Sequence, residues 1–574
     1  MKTISAKTRI AFFLISAFVF LGVNFSTAAM QEETKRQRVI EKPTPTVTPS
    51  SVVPKPSVSP SPAQSPSPFP TISAPVQTVA QLQAKIRSAI SRPELRRGIV
   101  AVKIASLNAG KVIYEENAER YVMPASNMKS FTVAAALEKL SPNYRFITSV
   151  YADSLPDASG AIKGNLTIFG RGDVSISTAF SEGDYFKGLD ALADKIVQSG
   201  VRRVEGGLVA DESYFSGSPI PTGWEWDDLQ WYYGAEVSAL PLNDNALDLT
   251  VKPGSLGSSC IVQIQPFNSI MRVVNRCTTS AAGTKKTLTI KKDLDQNVLE
   301  VSGSLPIGDK GFADPLAISR PAELFAALLR QRLQAKGVTI AGQTQIVKRE
   351  NSVIDRALTA AQNNSQTVSG KPAPIEIAKL ESAPFSLIAA KTMKPSQNLY
   401  TETILWTLGE QMRSFYTNAA GNPFANPNST SAERGIFVVQ DFLRNIGVSA
   451  DSVVQYDGSG LSRHNLVTAD SLVKLYTYMA KQSRYAQTWR DSLTVGAVDG
   501  TLRNRFKGTA AAENVRGKTG TIDQVSALSG YLTTAAGEPL VFSIIVNGVP
   551  NSRARTAIID DIVLHLANYT GAVN

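Results

Sequence analysis

A serine and a lysine stand three residues apart in Pro124-Ala125-Ser126-Asn127-Met128-Lys129. The sequence that follows, Ser130 to Leu140, is helix-forming. Pro124 suits a helix start because it has no N–H to leave unpaired. On a helix, positions i and i+3 share a face, so the Lys129 amine can reach the Ser126 hydroxyl. Ser126 then falls in the first turn, where unpaired N–H groups and the positive end of the helix dipole favour a developing oxyanion. One turn would supply a nucleophile, a base and a charge-stabilising backbone. The same spacing recurs at Ser471-Leu472-Val473-Lys474. That copy lies in an amphipathic helix expected over Ala469–Gln482 and capped by Thr468, where it reads as a solvated face. Partners elsewhere in the chain must choose between the two.

Histidine usage narrows the chemistry. His464 and His565 are the only two in the chain, and His565 sits in a C-terminal helix as a surface or packing residue. A Ser-His-Asp triad has only His464 to draw on, so lysine is the more natural base. For that, Lys129 must lose its charge near neutral pH, through burial or a neighbouring cation. Arg516-Gly517-Lys518-Thr519-Gly520-Thr521 offers such a cation in a β-prone run. A strand bearing Lys518 and Thr519, with Gly520 leaving room for close backbone approach, can hold a substrate carboxylate. A turn with a solvated lysine is the alternative. Between these motifs stands Ser396-Gln397-Asn398, at the start of a helix from Leu399. His-rich metal ligation is excluded, no H-E-x-x-H occurs, and two cysteines are too few for structural zinc. No metal or cofactor is expected.

The elements that must position these residues are legible in outline. The chain has 574 residues, 43% hydrophobic, with a formal charge of +11. The basic residues are scattered, without dense runs or an aromatic-interleaved patch, which argues against nucleic acid and allows an anionic polymer such as a cell wall. Lys2, Lys7 and Arg9 precede an apolar run from Ile10 to Val23, followed by Ser26, Thr27, Ala28 and Ala29. This is a secretory pattern over 1–29, cleaved after Ala28 or Ala29 or retained as an anchor. Eleven of the 31 prolines lie between Pro43 and Pro75, so 30–77 reads as an extended polyproline-like linker. The folded part starts with a helix over Val79–Ile90. A hairpin from Ile99–Ala105 and Lys111–Tyr114 follows, and then the Ser126 helix. From 150 to about 365, short β-like runs with frequent Gly, Asn and Asp suggest a mostly β insertion, its inner part about 256–345. It carries helices at Asp190–Ser199 and Pro321–Lys336. Cys260 and Cys277 fall there, either paired or as two buried thiols. Helices are expected again at Pro384–Thr392, Leu399–Ser414 and Ser431–Ile446. A hairpin over Ala527–Thr533 and Leu540–Asn547 and a final helix over Ala554–Leu566 close the chain. The fold class expected is α/β (α+β): an antiparallel sheet flanked by helices, from 78–149 and 366–574, with the insertion between.

Three motifs in the order Ser-x-x-Lys, Ser-x-Asn, Lys-Thr-Gly resemble the penicillin-recognising serine enzymes. Pro-Ala-Ser-Asn-Met-Lys, Ser-Gln-Asn-Leu-Tyr, Asp457-Gly458-Ser459-Gly460-Leu461-Ser462-Arg463 and Gly517-Lys518-Thr519-Gly520-Thr521 are similar to the D-alanyl-D-alanine carboxypeptidase/endopeptidase family (penicillin-binding protein 4 type, serine peptidase family S13). So is the long insertion with Gly223-Trp224-Glu225-Trp226-Asp227-Asp228 and Tyr232-Tyr233. The likeness runs from about Thr78 to the C-terminus and picks Ser126 over Ser471.

The resemblance implies a transpeptidase-like core and an exported hydrolase of peptidoglycan stem peptides, in the periplasm or cell-wall space. It also implies inhibition by β-lactam antibiotics, with membrane contact expected only through an uncleaved leader. In the catalytic roles it implies, Ser126 is the nucleophile and Lys129 its base. Ser396 and Lys518 relay a proton to the leaving amine, and Asn398 holds the substrate amide. Thr519, Gly520 and Thr521 line the carboxylate and acyl-oxygen positions. The N–H groups of Ser126 and Thr521 form the oxyanion hole. Asp228, Ser459 and Arg463 are the expected recognition residues for a diamino acid side chain. Trimming of terminal D-alanine and cutting of cross-links both have precedent in the family. A β-lactamase and a catalytically inert wall-binding protein are the competing readings; the long insertion opposes the first and the intact motifs oppose the second.

Overall fold

β-branched and apolar runs at the two ends of the folded part build one sheet. In the computed structural model, which describes residues 77–348, 352–354, 367–368, 371–372, 374–413 and 428–573, Ile99–Ser106 and Val112–Glu116 form the expected hairpin. Ile99–Ser106 also pairs antiparallel with Pro539–Asn547. That strand pairs with Val525–Thr533, then come Arg516–Ile522 and the short edge strand Thr494–Val495. The expected leader and nearly all of the linker lie outside the described residues.

The sheet is covered on both faces, and the side chains divide with the period of two that strand geometry imposes. Val102, Ile104, Leu528, Phe542 and Ile544 pack with the terminal helices Val79–Ile90 and Ser552–Ala567. Thr78 starts the first of these with a capping box to Gln81. Ala101, Ala105, Ala527, Tyr531 and Ile545 face a second cluster, which holds Phe131 and the helices Phe385–Met393, Asn398–Gln411, Ser431–Asn445 and Ala469–Lys481. The serine helix, Met128–Leu140, runs through this cluster and is buried from Met128 to Leu137. Its composition allows this: Val133, Ala134, Ala135 and Ala136 present no polar side chain on any face.

The inserted part is more mixed than the expected β-rich domain. Ile147–Ala152 and Ile375–Glu381 pair antiparallel in a five-stranded sheet that also holds Leu166–Phe169, Leu208–Asp211 and Thr344–Val347. The last three are mutually parallel. Parallel neighbours need crossovers, and the helices Lys187–Gln198 and Pro321–Ala335 lie on those connections. Frequent Gly and Asn hid this, because crossover geometry leaves no mark on single short strands. We propose junctions near 147 and 381 in place of the expected breaks at 149/150 and 365/366. Within the insertion, Ala246–Lys252, Ile261–Gln265 and Phe312–Ala317 form one three-stranded sheet, and Arg272–Ser280, Thr289–Lys292 and Val298–Pro306 another. We likewise propose an inner part from 246 to 317 in place of the expected 256–345, with the helix Pro321–Ala335 grouped with the outer sheet.

Cys260 and Cys277 are joined by a disulfide with a sequence separation of 17. A closed loop of that size restricts the unfolded chain by about 3 kcal/mol. Replacing both cysteines by alanine is expected to lower the stability of the inserted part by about that amount. A lower urea midpoint, read by limited proteolysis within 246–317, checks this; an unchanged midpoint contradicts it.

Candidate active site

The chain enters the serine helix through a short 3-10 turn, Ala125–Asn127, with Pro124 before it. Ser126 therefore sits in this tight turn rather than in the α-helix proper, and Ala125 takes a left-handed φ of 46°. Backbone of this kind costs about 1–3 kcal/mol and persists where surrounding packing holds it. Lys129 has no exposed surface. Its Nζ donates to Ser126 Oγ (3.1 Å), to Asn398 Oδ1 (2.6 Å) and to the Ser459 carbonyl (2.7 Å).

Ser396-Gln397-Asn398 forms the second wall. Ser396 is also left-handed, with φ 66°. Gln397 caps the following helix by accepting the Leu399 N–H at 3.2 Å. This starts the helix at Asn398 and aims the Asn398 amide at Lys129. Its Nδ2 donates to the Tyr233 carbonyl at 2.8 Å, which ties the inserted part to this wall.

Arg516–Ile522 is the third wall. It pairs along its length with Val525–Thr533, whereas Thr494–Val495 covers only Arg516 and Gly517. Beyond Gly517 the outer edge packs against the serine turn. A Cβ on Gly520 would come within 2.6 Å of the Pro124 carbonyl and 3.1 Å of Ala125 Cβ. The close approach expected at this glycine is thus made by the turn that carries Ser126. Lys518, fully buried, donates to Ser396 Oγ (2.8 Å) and to the Thr519 carbonyl (2.9 Å). Thr519 Oγ1 donates to Thr501 Oγ1 at 2.7 Å, and Thr521 is exposed at the edge.

The loop Asp457–Asn465 closes the floor. It winds around the Asp457 carboxylate, which accepts from the N–H groups of Gly460 (2.7 Å) and Ser462 (2.8 Å), Asn465 Nδ2 (2.7 Å) and Trp224 Nε1 (2.9 Å). A Cβ on Gly460 (φ 81°) would overlap the Ala125 carbonyl, so only glycine lets this loop lie against the serine turn.

The expected recognition residues part company here. Ser459 has no exposed surface, and its Oγ donates to Asp457 Oδ2 at 3.3 Å. It lies beneath Lys129 rather than at the cleft surface where substrate contact was expected, because its backbone is held from below. Arg463 and Asp228 lie at the mouth. Arg463 pairs with Glu225 at 3.1 Å and donates to the Asp523 carbonyl at 3.1 Å. Asp228 is half-buried. Burial first, then the charges of Asp227 and Glu225, push its carboxyl up to about 6, against a hydrogen bond from Tyr233 and the charge of Arg463.

The second Ser-x-x-Lys copy does not make a comparable site. Ser471 is fully buried and not on a solvated face; its Oγ donates to the Thr468 carbonyl at 2.8 Å, while Lys474 pairs outward with Asp470 at 2.8 Å. Thr468 caps that helix as expected. The N-terminal position, one turn from the cap, explains why a serine there is satisfied internally.

Sequence reading missed Glu402. It is fully buried, with Oε2 accepting the Gly458 N–H (3.0 Å) and Oε1 the Ser459 N–H (2.7 Å). The available signal was a lone acid four residues after Asn398, on the same helix face, in an otherwise uncharged run.

With this geometry in hand, the chain can be set beside known proteins. Residues 82–569 match the model of the "D-Ala-D-Ala carboxypeptidase 3 (S13) family". A D-alanyl-D-alanine carboxypeptidase of an Actinomadura species is 33% identical over 508 residues, 86% of each chain. D-alanyl-D-alanine carboxypeptidase DacB of Haemophilus influenzae is 24% identical over 450 residues, 77% of this chain and 84% of the relative. The crystal structure of penicillin binding protein 4 from Haemophilus influenzae superposes with a TM-score of 0.68 at 22% identity, covering 85% of this chain and 99% of that one. Its complex with a novel β-lactam gives 0.62 at 20% identity, covering 84% and 98%. At these identities the structural likeness establishes the penicillin-recognising fold.

Gly520→Ala is expected to fold, yet to displace the serine turn and slow labelling of Ser126 by a fluorescent penicillin about 100-fold. Labelling at the wild-type rate, with an unchanged melting temperature, would show that the contact does not constrain the turn.

Proposed function

The chain belongs to the D-Ala-D-Ala carboxypeptidase 3 (S13) family and is a serine-type D-Ala-D-Ala carboxypeptidase; from that premise we propose that it is exported, acts on peptidoglycan stem peptides through an acyl-enzyme on Ser126, and is blocked covalently by β-lactams. The observation that carries this reading is the set of acceptors around Lys129. A neutral amine has two N–H groups and one lone pair. With the N–H groups on Asn398 Oδ1 and the Ser459 carbonyl, the lone pair is left facing Ser126 Oγ at 3.1 Å. Lys129 is thereby set to take the hydroxyl proton as Oγ bonds to the carbonyl carbon between the two D-alanines.

The N–H groups of Ser126 and Thr521 stabilise the oxyanion. When the tetrahedral intermediate collapses, the C–N bond breaks and the leaving amine takes a proton relayed through Ser396 Oγ, itself held by Lys518. Asn398 holds the substrate amide, and Thr519 and Thr521 receive the terminal carboxylate at the strand edge. Water then attacks the ester and returns the Ser126 hydroxyl. Cleavage of D-alanyl cross-links follows the same steps, with the amine of a second stem peptide as the leaving group. The 1–29 leader and the proline-rich segment support export and a spacer role. Among the described residues, no helix is long and apolar enough to cross a membrane.

At the cleft mouth, Asp228 takes the ammonium of a diamino acid side chain and Arg463 its carboxylate, which displaces Glu225. The Glu225–Arg463 pair is partly exposed and therefore weak, so the exchange costs little.

Incubation with a fluorescent penicillin followed by peptide mapping is expected to place one adduct on Ser126, absent in Ser126→Ala, with release of D-alanine from a D-Ala-D-Ala peptide lost in the same variant. An adduct on another serine, Ser471 included, overturns the assignment. Because the Asp228 carboxyl titrates at about 6, it is charged above that pH and neutral below. The preference for a substrate with a free side-chain amine over its acetylated form should be full at pH 7.5, fall as pH drops through about 6, and vanish at all pH in Asp228→Asn. A pH-independent kcat/KM ratio in the unaltered enzyme argues against an ammonium contact at Asp228.

A further inference from the structure

The backbone of Gly458 and Ser459 is gripped on both sides. Its upper contacts are made by the serine helix: Thr132 Oγ1 donates to the Gly458 carbonyl at 3.1 Å, and Lys129 Nζ to the Ser459 carbonyl at 2.7 Å. Its lower contacts are made by one side chain, Glu402, which places one carboxylate oxygen on each of the two successive N–H groups. One side chain matched to two adjacent backbone donors fixes both N–H groups at once, and neither is left unpaired in the interior. Glu402 lies one helical turn beyond Asn398, on the helix Asn398–Gln411. That helix therefore governs two hydrogen bonds of Lys129, one directly through Asn398 and one through Glu402 and the loop.

We propose that Glu402 is the positioning residue of the catalytic lysine: by holding the N–H groups of Gly458 and Ser459 it turns the Ser459 carbonyl onto Lys129 Nζ and leaves the lysine lone pair directed at Ser126. The proposal rests on the reading of Ser126 as nucleophile and Lys129 as base. Glu402 touches neither of them and has no exposed surface from which to meet substrate. Burial, reinforced by the charge of Asp457, pushes its carboxyl well above the ordinary carboxylate range. An isolated acid would simply be discharged in such a place. Hydrogen bonds from the Ser459 side chain and from both N–H groups oppose the shift without cancelling it, and the Ser459 Oγ also reaches Asp457. The charged group that acts on Glu402 is thus Asp457, from the loop, and the Lys129 amine lies on the other side of Ser459, bonded to its carbonyl. A buried acid between them is costly, and a loop that needed only to be closed would be closed by an uncharged side chain.

The test separates the chemical step from binding. Saturation kinetics of a chromogenic penicillin yield the acylation rate constant k2 and the dissociation constant of the encounter complex. Values are normalised to the fraction of enzyme that labels at Ser126. Glu402→Gln keeps one acceptor and presents an NH2 group to the other N–H; k2 is expected to fall about tenfold. Glu402→Leu removes both acceptors at similar volume, and k2 is expected to fall about 100-fold, the scale of a displacement of about 1 Å at a catalytic group. The dissociation constant should stay within about twofold in both variants. Unchanged k2 in Glu402→Gln, or a loss confined to the dissociation constant, overturns the proposal. Should Glu402→Leu fail to fold, Glu402→Gln alone decides. Failure of the underlying reading is distinct, since the unaltered enzyme would then carry no adduct on Ser126.

Discussion

A lysine amine sealed from solvent must find a partner for each of its N–H groups and for its lone pair, because a buried polar group left unpaired costs about 1–3 kcal/mol. Lys129 meets that demand with three oxygens from three parts of the chain: Ser126 in its own turn, Asn398 at a helix start and Ser459 in a loop. The rest of the site follows from holding these three together. The serine helix is buried from Met128 to Leu137, and the lysine with it. Gly460 and Gly520 let the loop and the edge strand close on the serine turn without a Cβ in the way. The left-handed residues Ala125 and Ser396 stand at the two points where the chain must turn sharply into the cleft.

Charge inside the site is handled by hydrogen bonds more than by ion pairs. Asp457 gathers N–H donors from its own loop and one indole from the insertion. Glu402 spans two backbone amides. Lys518 rests on a hydroxyl and a carbonyl. Such networks are stiff when complete, and stiffness is what a general base and a proton relay require, since each must stay within hydrogen-bond reach of its partner.

The insertion takes part in this framework. Residues 223–233 reach the catalytic part through Tyr233 to Asn398, Trp224 to Asp457 and Glu225 to Arg463. The first two act on supports of the lysine, and the third lies at the mouth. One short segment therefore joins the surface proposed to select the side chain to the groups proposed to carry out the chemistry. Glu225 and Asp228 thus lie on a stretch of chain that is also bonded to the supports of Lys129.

Much of this was legible in the linear chain where the cause is local. Period-two and period-3.6 patterns marked the sheet strands and the flanking helices. The spacing of Ser126 and Lys129 marked their contact, and Gly520 marked a close approach. Caps at Thr78 and Thr468 set helix starts from adjacent residues alone. The decisions that only the tertiary structure made are all between distant parts. Lys129 meets Asn398 and Ser459 across 269 and 330 residues, and no local pattern encodes which oxygen will face an amine over that separation. The same holds for the parallel strands of the insertion, whose pairing depends on crossovers, and for the seclusion of Ser459 and Ser471, both of which read as accessible. Glu402 is the sharpest case. As an acid in a helix it carries no meaning until packing removes water from around it, and only then do the two amides beside Lys129 give it a role.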